Sequence, residues 1–308
     1  MNRKAQVILA AGASVLVLAG AVWLAAQSAK TPAPVAAESG HMVVDMTGRT
    51  VRVPADPARI LSLCTSANDT VAALGDAARL AAIDEYGRVV PGVEHAQVVG
   101  KGSAISREAV LALGIDLAFV WWYQDDAAAM LEGLSVPVVR VRTDRAAEIP
   151  PMIRMVGECL NRREAAEPMA RGMEEFLDRA ASDRPLPANR PRVYLELYGP
   201  FRTVGRDSYM NDLLALAGAD NIAGEIAGKA LLSAERLLQA DPDVILFADG
   251  FADAGEIAGR PGMAGLKAVR LGRMFPVDRR WLVAGPRIPE AVAEIRSILA
   301  GVSREERR

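Results

Sequence analysis

The chain has 308 residues, which is enough for two domains of ordinary size, each with its own core. Hydrophobic residues make up 51% of it and charged residues 24%, a composition that is typical of folded proteins and excludes a disordered one. The formal net charge is −2, so no overall basic field points to nucleic acid as a partner.

The N-terminus has the composition of an export signal. A basic start, MNRK, is followed by a long apolar run and then by the small, polar, proline-bearing stretch QSAKTPAPVAAESG. We assign residues 1–29 to a signal peptide or an N-terminal membrane anchor, and residues 30–42 to a linker. Cleavage fits after Ser28 or after Ala37, and the apolar run is also long enough to remain as an anchor. In either case the chain beyond residue 40 is expected outside the cytoplasmic membrane.

Residues 43–145 predict an α/β lobe. It opens with a hairpin around the Thr47-Gly48 turn of MVVDMTGRTVRVP. Short buried strands then alternate with helices: the strands are RILSL, RLAAI, DLAFVWW and PVVRV, and helices are predicted after RILSL and in ISREAVLALGI and DDAAAMLEGL. This alternation predicts a parallel sheet with helices on both faces.

Residues 146–183 carry no strand signal. Apolar residues recur there at helical spacing and predict one long helix; they are Ala166, Met169, Ala170, Met173, Phe176, Leu177 and Ala180. Residues 184–301 repeat the α/β pattern, and the closing helix PEAVAEIRSILAG is predicted to end at Gly301, ahead of a charged tail at 302–308. The predicted fold class is therefore α/β, with two Rossmann-like lobes containing parallel-type sheets and joined by one long rigid helix.

Catalytic and metal-binding motifs are scarce in the sequence. The two histidines lie in the linker region (His41) and in a loop (His95), and GKGS at 100–103 lacks the rest of a Walker motif. The two cysteines, Cys64 and Cys159, lie in apolar patterns and are expected as separate buried thiols rather than as a disulfide. We therefore predict no enzyme activity, no resident cofactor and no metal site.

Aromatic and basic residues gather in the loops that follow the predicted strands. Ligands of parallel α/β sheets bind beyond the carboxyl ends of the strands, and rings combined with Arg and Lys suit a bulky anionic ligand. Alternation along the strand favours Trp121 in the core and Trp122 or Tyr123 in the cleft. For every candidate the alternative is a core or an ordinary surface position. The candidate ligand-binding residues are Tyr86, Arg88, Lys101, Trp122, Tyr123, Tyr198, Arg202, Arg206, Phe251, Trp281 and Arg287.

Several stretches, taken in order, resemble the metal-chelate class of ABC-importer substrate-binding proteins, which deliver ferric siderophores, haem or cobalamin. They are DMTGRTVRVPADPARILSL, TSANDTVAALG, VVGKGSAISREAVLALGIDLAFV, DSYMNDLLALAGADNIAG, SAERLLQADPDVILF and GPRIPEAVAEI, and they cover nearly all of residues 43–301. The resemblance implies a periplasmic protein that captures a small-molecule metal chelate between its lobes. It implies an ABC permease dimer with its cytoplasmic ATPase as partners, and we expect a monomer without a nucleic-acid partner.

Two acids occupy matching places in the two lobes. Asp69 in SANDTVAALGDA and Asp212 in YMNDLLALAGAD each follow an Asn at the head of an apolar helix. The resemblance implies that each lobe presents such an acid on its outer surface to dock onto arginines of the permease, although the family more often has Glu there. The alternative is a charge that favours the start of its helix.

The ligand is open on this sequence. We expect a ferric siderophore recognised by Lys101, Arg202, Arg206 and Arg287. The same role with a corrinoid packed by Trp122, Tyr123, Tyr198 and Trp281, or with haem bound through a tyrosine, is the alternative. An enzyme on a similar scaffold, and a membrane-anchored sensor that retains its N-terminal helix, are two further alternatives.

Overall fold

The computed structural model describes residues 40–183 and 190–305. The signal peptide or anchor predicted at 1–29, and most of the linker predicted at 30–42, lie outside the described residues. None of the helices in the described part of the chain is long and apolar enough to cross a membrane.

The described chain begins with the predicted hairpin, formed by β1 (Gly40–Val44) and β2 (Thr50–Pro54). The Asp45 carboxylate closes its turn, because Oδ1 accepts the backbone N–H groups of Thr47 at 2.9 Å and Arg49 at 3.0 Å. An Asp side chain that accepts nearby backbone N–H groups in this way stabilises a tight turn.

The N-terminal lobe contains a parallel sheet, as predicted, and the sheet has five strands where the sequence indicated four. Its elements in chain order are β3 (Ile60–Ser62), α1 (Thr65–Ala73), β4 (Leu80–Ile83), β5 (Gln97–Val98), β6 (Gly100–Lys101), β7 (Ala104–Ile105), α2 (Arg107–Leu113), β8 (Leu117–Trp121), α3 (Asp125–Glu132) and β9 (Val138–Val141). The strand order is β5-β4-β3-β8-β9, and β6 pairs with β7 in a separate hairpin. Ser106 caps α2 by accepting the Ala109 N–H at 3.1 Å, and Gly114 ends the helix in the left-handed conformation.

Two helices follow the N-terminal lobe, α4 (Ile149–Cys159) and α5 (Arg163–Ser182). The predicted long helix is α5, and the predicted stripe lies on it, either buried or packed against the core. The helical pattern of the sequence does not distinguish α4 from α5, and the chain turns from one into the other at Asn161 (φ 56°). The two helices approach so closely that a Cβ at Gly157 would lie 2.2 Å from the Ala166 Cβ, so only glycine fits there.

The C-terminal lobe repeats the architecture with a four-stranded parallel sheet in the order β12-β10-β14-β15. Its elements are β10 (Arg192–Glu196), β11 (Arg202–Val204), α6 (Tyr209–Ala217), β12 (Asp220–Asn221), β13 (Lys229–Leu231), α7 (Ala234–Ala240), β14 (Val244–Ala248), α8 (Ala254–Gly259), α9 (Lys267–Arg270), β15 (Met274–Val277) and α10 (Ile288–Glu305). The prediction that the last helix ends at Gly301 is wrong. Gly301 does not take the left-handed conformation that terminates a helix, and α10 continues for four further residues.

One apolar core extends through both lobes. It joins alternate residues of the N-terminal sheet, such as Ile60 and Phe119, to residues of the C-terminal sheet, such as Val193 and Leu246, and includes α4 and α5. Two further clusters cover the opposite face of each sheet. The strands are therefore buried on both faces, which is what their nearly continuous apolar sequences predict.

Candidate functional site

Five large aromatic side chains remain exposed beyond the carboxyl ends of the parallel strands. We call Tyr86, Trp122 and Tyr123 the N-terminal wall, since they follow β4 and β8. We call Tyr198 and Phe251 the C-terminal wall, since they follow β10 and β14. Their exposed fractions lie between 37% and 59%. Rings of this size are usually buried, so a group of them left exposed at the ends of strands marks a candidate binding surface.

The aromatic side chains pack against one another within each wall. Trp122 and Tyr123 meet edge to face at 5.7 Å between centroids, and Tyr198 meets Phe251 in the same manner at 6.0 Å. Trp121 stacks on Tyr123 at 6.2 Å and packs against the core, as the alternation along β8 predicts. The rings therefore form two supported apolar surfaces rather than isolated side chains.

The two walls lie close to each other. The phenol of Tyr198 contributes to the rise in the pKa of Tyr123, and the phenol of Tyr86 contributes to the rise in the pKa of Tyr198. In both cases burial is the largest cause, and it raises the pKa of Tyr123 to about 12. These charge effects place the phenols of the two walls within electrostatic range of each other.

Cationic side chains lie over the aromatic faces. Arg279 is 4.5 Å from the Phe251 centroid, and this arginine was not predicted from the sequence. The sequence contains no local signal for this pair, because Arg279 and Phe251 lie in separate loops. The other pairs are Lys101 over Tyr86 at 5.6 Å, Arg142 over Trp122 at 5.2 Å and Lys229 over Tyr198 at 5.9 Å.

The predicted basic ligand residues are placed less favourably than the aromatic ones. Arg88 and Arg202 are exposed. Lys101 pairs with Glu85 at 3.2 Å, and Arg206 donates to the Glu225 carbonyl at 2.6 Å. Arg287 donates to Asp69 and is therefore engaged within the protein.

Trp281 does not belong to the cleft, contrary to the prediction. Its side chain is 9% exposed, and its indole Nε1 donates to the Glu294 carboxylate on α10. The Trp281 carbonyl accepts the hydroxyl of buried Tyr209 at 2.5 Å. These contacts hold Trp281 in the core of the C-terminal lobe, because a buried indole needs a partner for its N–H.

Both matched acids were predicted to lie on the outer surface, and for Asp69 this prediction is wrong. Asp69 is 3% exposed and accepts the guanidinium of Arg287, and the backbone of Gly285 packs directly on its carboxylate. Asp212 is partly buried and accepts a two-pronged contact from Arg145 at 2.9 and 2.7 Å. A role of these acids in docking stays a prediction.

Glu196 shapes the loop that carries Tyr198. Its carboxylate is 2% exposed and accepts the Phe201 N–H at 3.0 Å and both contacts of Arg260 Nη1, at 2.8 and 2.7 Å. The intervening chain places Tyr198 at φ 64° and Phe201 at φ 60°. These left-handed positions cost about 1–3 kcal/mol each, and the Glu196 contacts hold the chain in them.

Asp84 organises the loops of the N-terminal wall. Its carboxylate is 1% exposed and accepts the backbone N–H groups of Gly87 at 3.0 Å and Gly102 at 3.1 Å. The segment that contains Tyr86 is therefore tied to the hairpin that contains Lys101. The pKa of Asp84 is raised from 3.8 to about 6. Burial of the carboxyl group is the largest cause, and the backbone N–H groups of Gly87 and Gly102 act in the opposite direction by lowering the pKa.

Asp84 makes the stability of the fold depend on pH. Since its pKa is higher in the folded chain than in the unfolded one, the folded chain binds the proton more tightly. The stabilisation is complete below about pH 4 and is lost as the pH rises through about 6, by about 3 kcal/mol in total. Urea unfolding of the protein and of Asp84→Asn across this range should show the difference in unfolding free energy falling as the pH rises. A constant difference would mean that the N–H donors keep the pKa ordinary.

Neither a metal cluster nor a reactive thiol occurs among the described residues. No group of three or more His, Cys, Asp or Glu side chains is placed to hold a metal ion in the described ranges. Cys64 and Cys159 are free and buried, as predicted, and burial raises the pKa of the Cys64 thiol to about 12. Thiols of this kind are inert.

The chain is similar in sequence to proteins of ABC transporters. A family model described as periplasmic binding protein matches residues 60–280. The uncharacterised ABC transporter substrate-binding lipoprotein YvrC of Bacillus subtilis is 26% identical over 264 residues, which are 82% of each chain. A cobalamin-binding protein of Halobacterium salinarum is 27% identical over 214 residues, which are 66% of this chain but only 57% of that protein.

The fold is similar to solved structures of periplasmic proteins. The apo form of the periplasmic haem-binding protein RhuT of Roseiflexus sp. RS-1 superimposes with a TM-score of 0.72 and 24% identity. The match covers 80% of this chain and 99% of that one. At this identity the likeness concerns the architecture of two α/β lobes.

Proposed function

Because the chain belongs to the periplasmic binding protein family, we propose that its aromatic cleft binds a corrinoid and delivers it to an ABC importer. The chain is the substrate-binding component of an ABC transporter, and its relatives and fold neighbours are binding proteins rather than enzymes. Such a component works with a permease and its ATPase. We propose that it acts in the periplasm as a monomer, either free or tethered by its N-terminal segment.

The observation that carries the proposal is the pair of aromatic walls. Three exposed rings of the N-terminal lobe and two of the C-terminal lobe offer apolar faces beyond the carboxyl ends of their strands. A corrinoid is a wide, largely apolar macrocycle, and opposed rings suit such a ligand because burying each ring face is favourable. The amide groups on its rim do not require a cluster of positive charges.

A ferric siderophore, which the sequence favoured, is supported less well by these contacts. An anionic chelate needs cations that are free to turn towards it. Three of the four basic residues predicted to recognise a siderophore already have partners: Glu85 for Lys101, the Glu225 carbonyl for Arg206 and Asp69 for Arg287. The fourth, Arg202, is exposed.

Haem is disfavoured by the state of the phenols. A tyrosine that binds ferric iron does so as the phenolate. Burial raises the pKa of Tyr123 to about 12 and also raises the pKa of Tyr198, so the phenolate of either ring is harder to form than that of an ordinary tyrosine. The similarity to a cobalamin-binding protein supports the corrinoid independently of this argument.

A titration of tryptophan fluorescence tests the proposal, since Trp121 and Trp122 lie at the cleft. The purified chain would be titrated with cobalamin, cobinamide, haemin, and ferric catecholate and hydroxamate siderophores, with a non-binding protein correcting for ligand absorption. We expect saturable quenching by a corrinoid with a Kd of about 1 μM or tighter. Saturation by a siderophore or haemin alone would replace the corrinoid, and no binding at all would contradict the proposal.

A further inference from the structure

We infer that Asp69 and Asp212 are positioning residues that fix the spacing of the two lobes, each by clasping an arginine of the opposite lobe. The first clasp joins Asp69 to Arg287, and the second joins Asp212 to Arg145. The inference rests on the proposed function only where it concerns ligand affinity.

The first clasp runs from the N-terminal lobe to the C-terminal lobe. Asp69 lies on α1, directly after the central strand β3, and Arg287 immediately precedes α10. The guanidinium of Arg287 donates through Nη2 to Asp69 Oδ1. A Cβ at Gly285 would lie 2.5 Å from Asp69 Oδ2, so the chain leading into α10 rests on that carboxylate.

The second clasp runs in the opposite direction. Asp212 lies on α6 of the C-terminal lobe, and Arg145 follows β9 of the N-terminal lobe. Arg145 donates through Nε at 2.9 Å and through Nη2 at 2.7 Å, while the Ala146 N–H donates to Asp212 Oδ2 at 2.9 Å. Arg145 is thus the last residue before a new helical turn, as Arg287 is.

The two clasps repeat the same construction. In each, an aspartate in the first turns of a helix accepts the side chain of an arginine that directly precedes a helical turn of the other lobe. Each arginine is followed three residues later by a glutamate, in Arg145-Ala-Ala-Glu148 and Arg287-Ile-Pro-Glu290. The repeated acids of the sequence therefore have repeated partners, which the sequence alone does not connect.

Positioning accounts for this arrangement better than stability does. Burial is the largest influence on Asp69 and raises its pKa even though Arg287 lies beside it, so the desolvation of the carboxylate is not fully offset. The apolar core shared by the lobes already holds them together, but hydrophobic contacts are non-directional. An arginine–carboxylate contact is directional, and the forked contact at Asp212 together with the single contact at Asp69 restricts how one lobe rotates on the other.

The distance between the lobes is the readout that tests the inference. Nitroxide labels at Ala112→Cys on α2 and Gln239→Cys on α7 report it, since both positions are exposed and the native cysteines are buried. Pulsed electron spin resonance on the full chain, without ligand, would compare wild type with Asp69→Asn/Asp212→Asn. We expect a single narrow distance distribution in wild type and a broader, longer one in the double variant.

A matched control is available within the chain. Arg162 contacts Asp76 through the same fork, at 2.8 and 3.1 Å, with side-chain exposures close to those of the second clasp, but without reaching the C-terminal lobe. Arg162→Gln should leave the distribution unchanged. If Asp69→Asn does not fold, Asp212→Asn alone should still broaden it.

Corrinoid affinity gives the second readout. If the spacing that fits the ligand falls to about a tenth of the population, the apparent Kd rises about tenfold. A distribution that is unchanged in both Asp69→Asn/Asp212→Asn and Asp212→Asn overturns the clasps whatever the ligand is. Failure of the wild-type chain to bind any corrinoid overturns only the proposed function, because the distance measurement needs no ligand.

Discussion

Replacing Arg260 with Met is expected to lower the free energy of unfolding by about 3–5 kcal/mol, because it leaves a buried carboxylate without its cation. Glu196 is 2% exposed, and the Arg260 side chain is 11% exposed. After the change Glu196 keeps only the Tyr194 hydroxyl at 2.8 Å and the Phe201 N–H at 3.0 Å. Methionine retains much of the apolar bulk of arginine, so the loss reports on charge more than on packing. Urea unfolding at neutral pH measures it.

Two further variants separate the charge from other causes. Adding Glu196→Gln to Arg260→Met should recover part of the loss, since the unpaired charge is then gone. Arg280→Met should change the free energy of unfolding by less than about 0.5 kcal/mol, because its pair with Asp278 is exposed to solvent. A loss below about 1 kcal/mol in Arg260→Met would show that water reaches Glu196, contrary to its burial.

The Arg260 change also has a consequence for the cleft. Glu196 accepts the Phe201 N–H across the turn that presents Tyr198 with a positive φ. Once the network is weakened, the chain can relax from these left-handed positions, and Tyr198 leaves its place beside Phe251. We therefore expect weaker ligand binding as well as lower stability.

The general architecture of the site was predictable from the sequence because it depends on local patterns. Short apolar strands alternating with helical periods give parallel sheets, and the ends of such strands collect the ligand side chains. Tyr86, Trp122, Tyr123, Tyr198 and Phe251 were predicted as ligand residues in this way; all five are exposed at strand ends, and their contact with a ligand stays a prediction.

The errors concern pairs of residues that are far apart in the sequence. Asp69 and Arg287 are separated by 218 positions, so neither the burial of the acid nor the loss of the arginine from the cleft has a local signal. Trp281 was misplaced for the same reason, because its carbonyl accepts the hydroxyl of buried Tyr209, 72 positions away. Such contacts depend on how the two lobes pack, which periodicity does not encode.

We expect the aromatic walls to contribute most of the ligand affinity. Replacing one ring in each lobe tests this expectation. Trp122→Ala and Tyr198→Ala are each expected to weaken corrinoid binding by about 10- to 150-fold, which corresponds to about 1.5–3 kcal/mol for burying one large apolar side chain. The rings come from different lobes and each packs on a ring of its own wall, so the double variant should lose the product of the two factors. Fluorescence or calorimetric titration measures the affinities.

Matched variants distinguish stacking from other roles of the same residues. Leu111→Ala, an exposed apolar residue on α2, should leave affinity unchanged because it lies on the helix that precedes β8, away from the strand ends. Tyr198→Phe keeps the ring and removes only the hydroxyl, so it should bind a corrinoid nearly as well as wild type. Abolition of binding in Tyr198→Phe would instead indicate that the phenol oxygen holds a metal, which points to haem. Stacking needs only the ring of Tyr198, whereas metal coordination needs its phenol oxygen. Tyr198→Phe therefore separates the two roles.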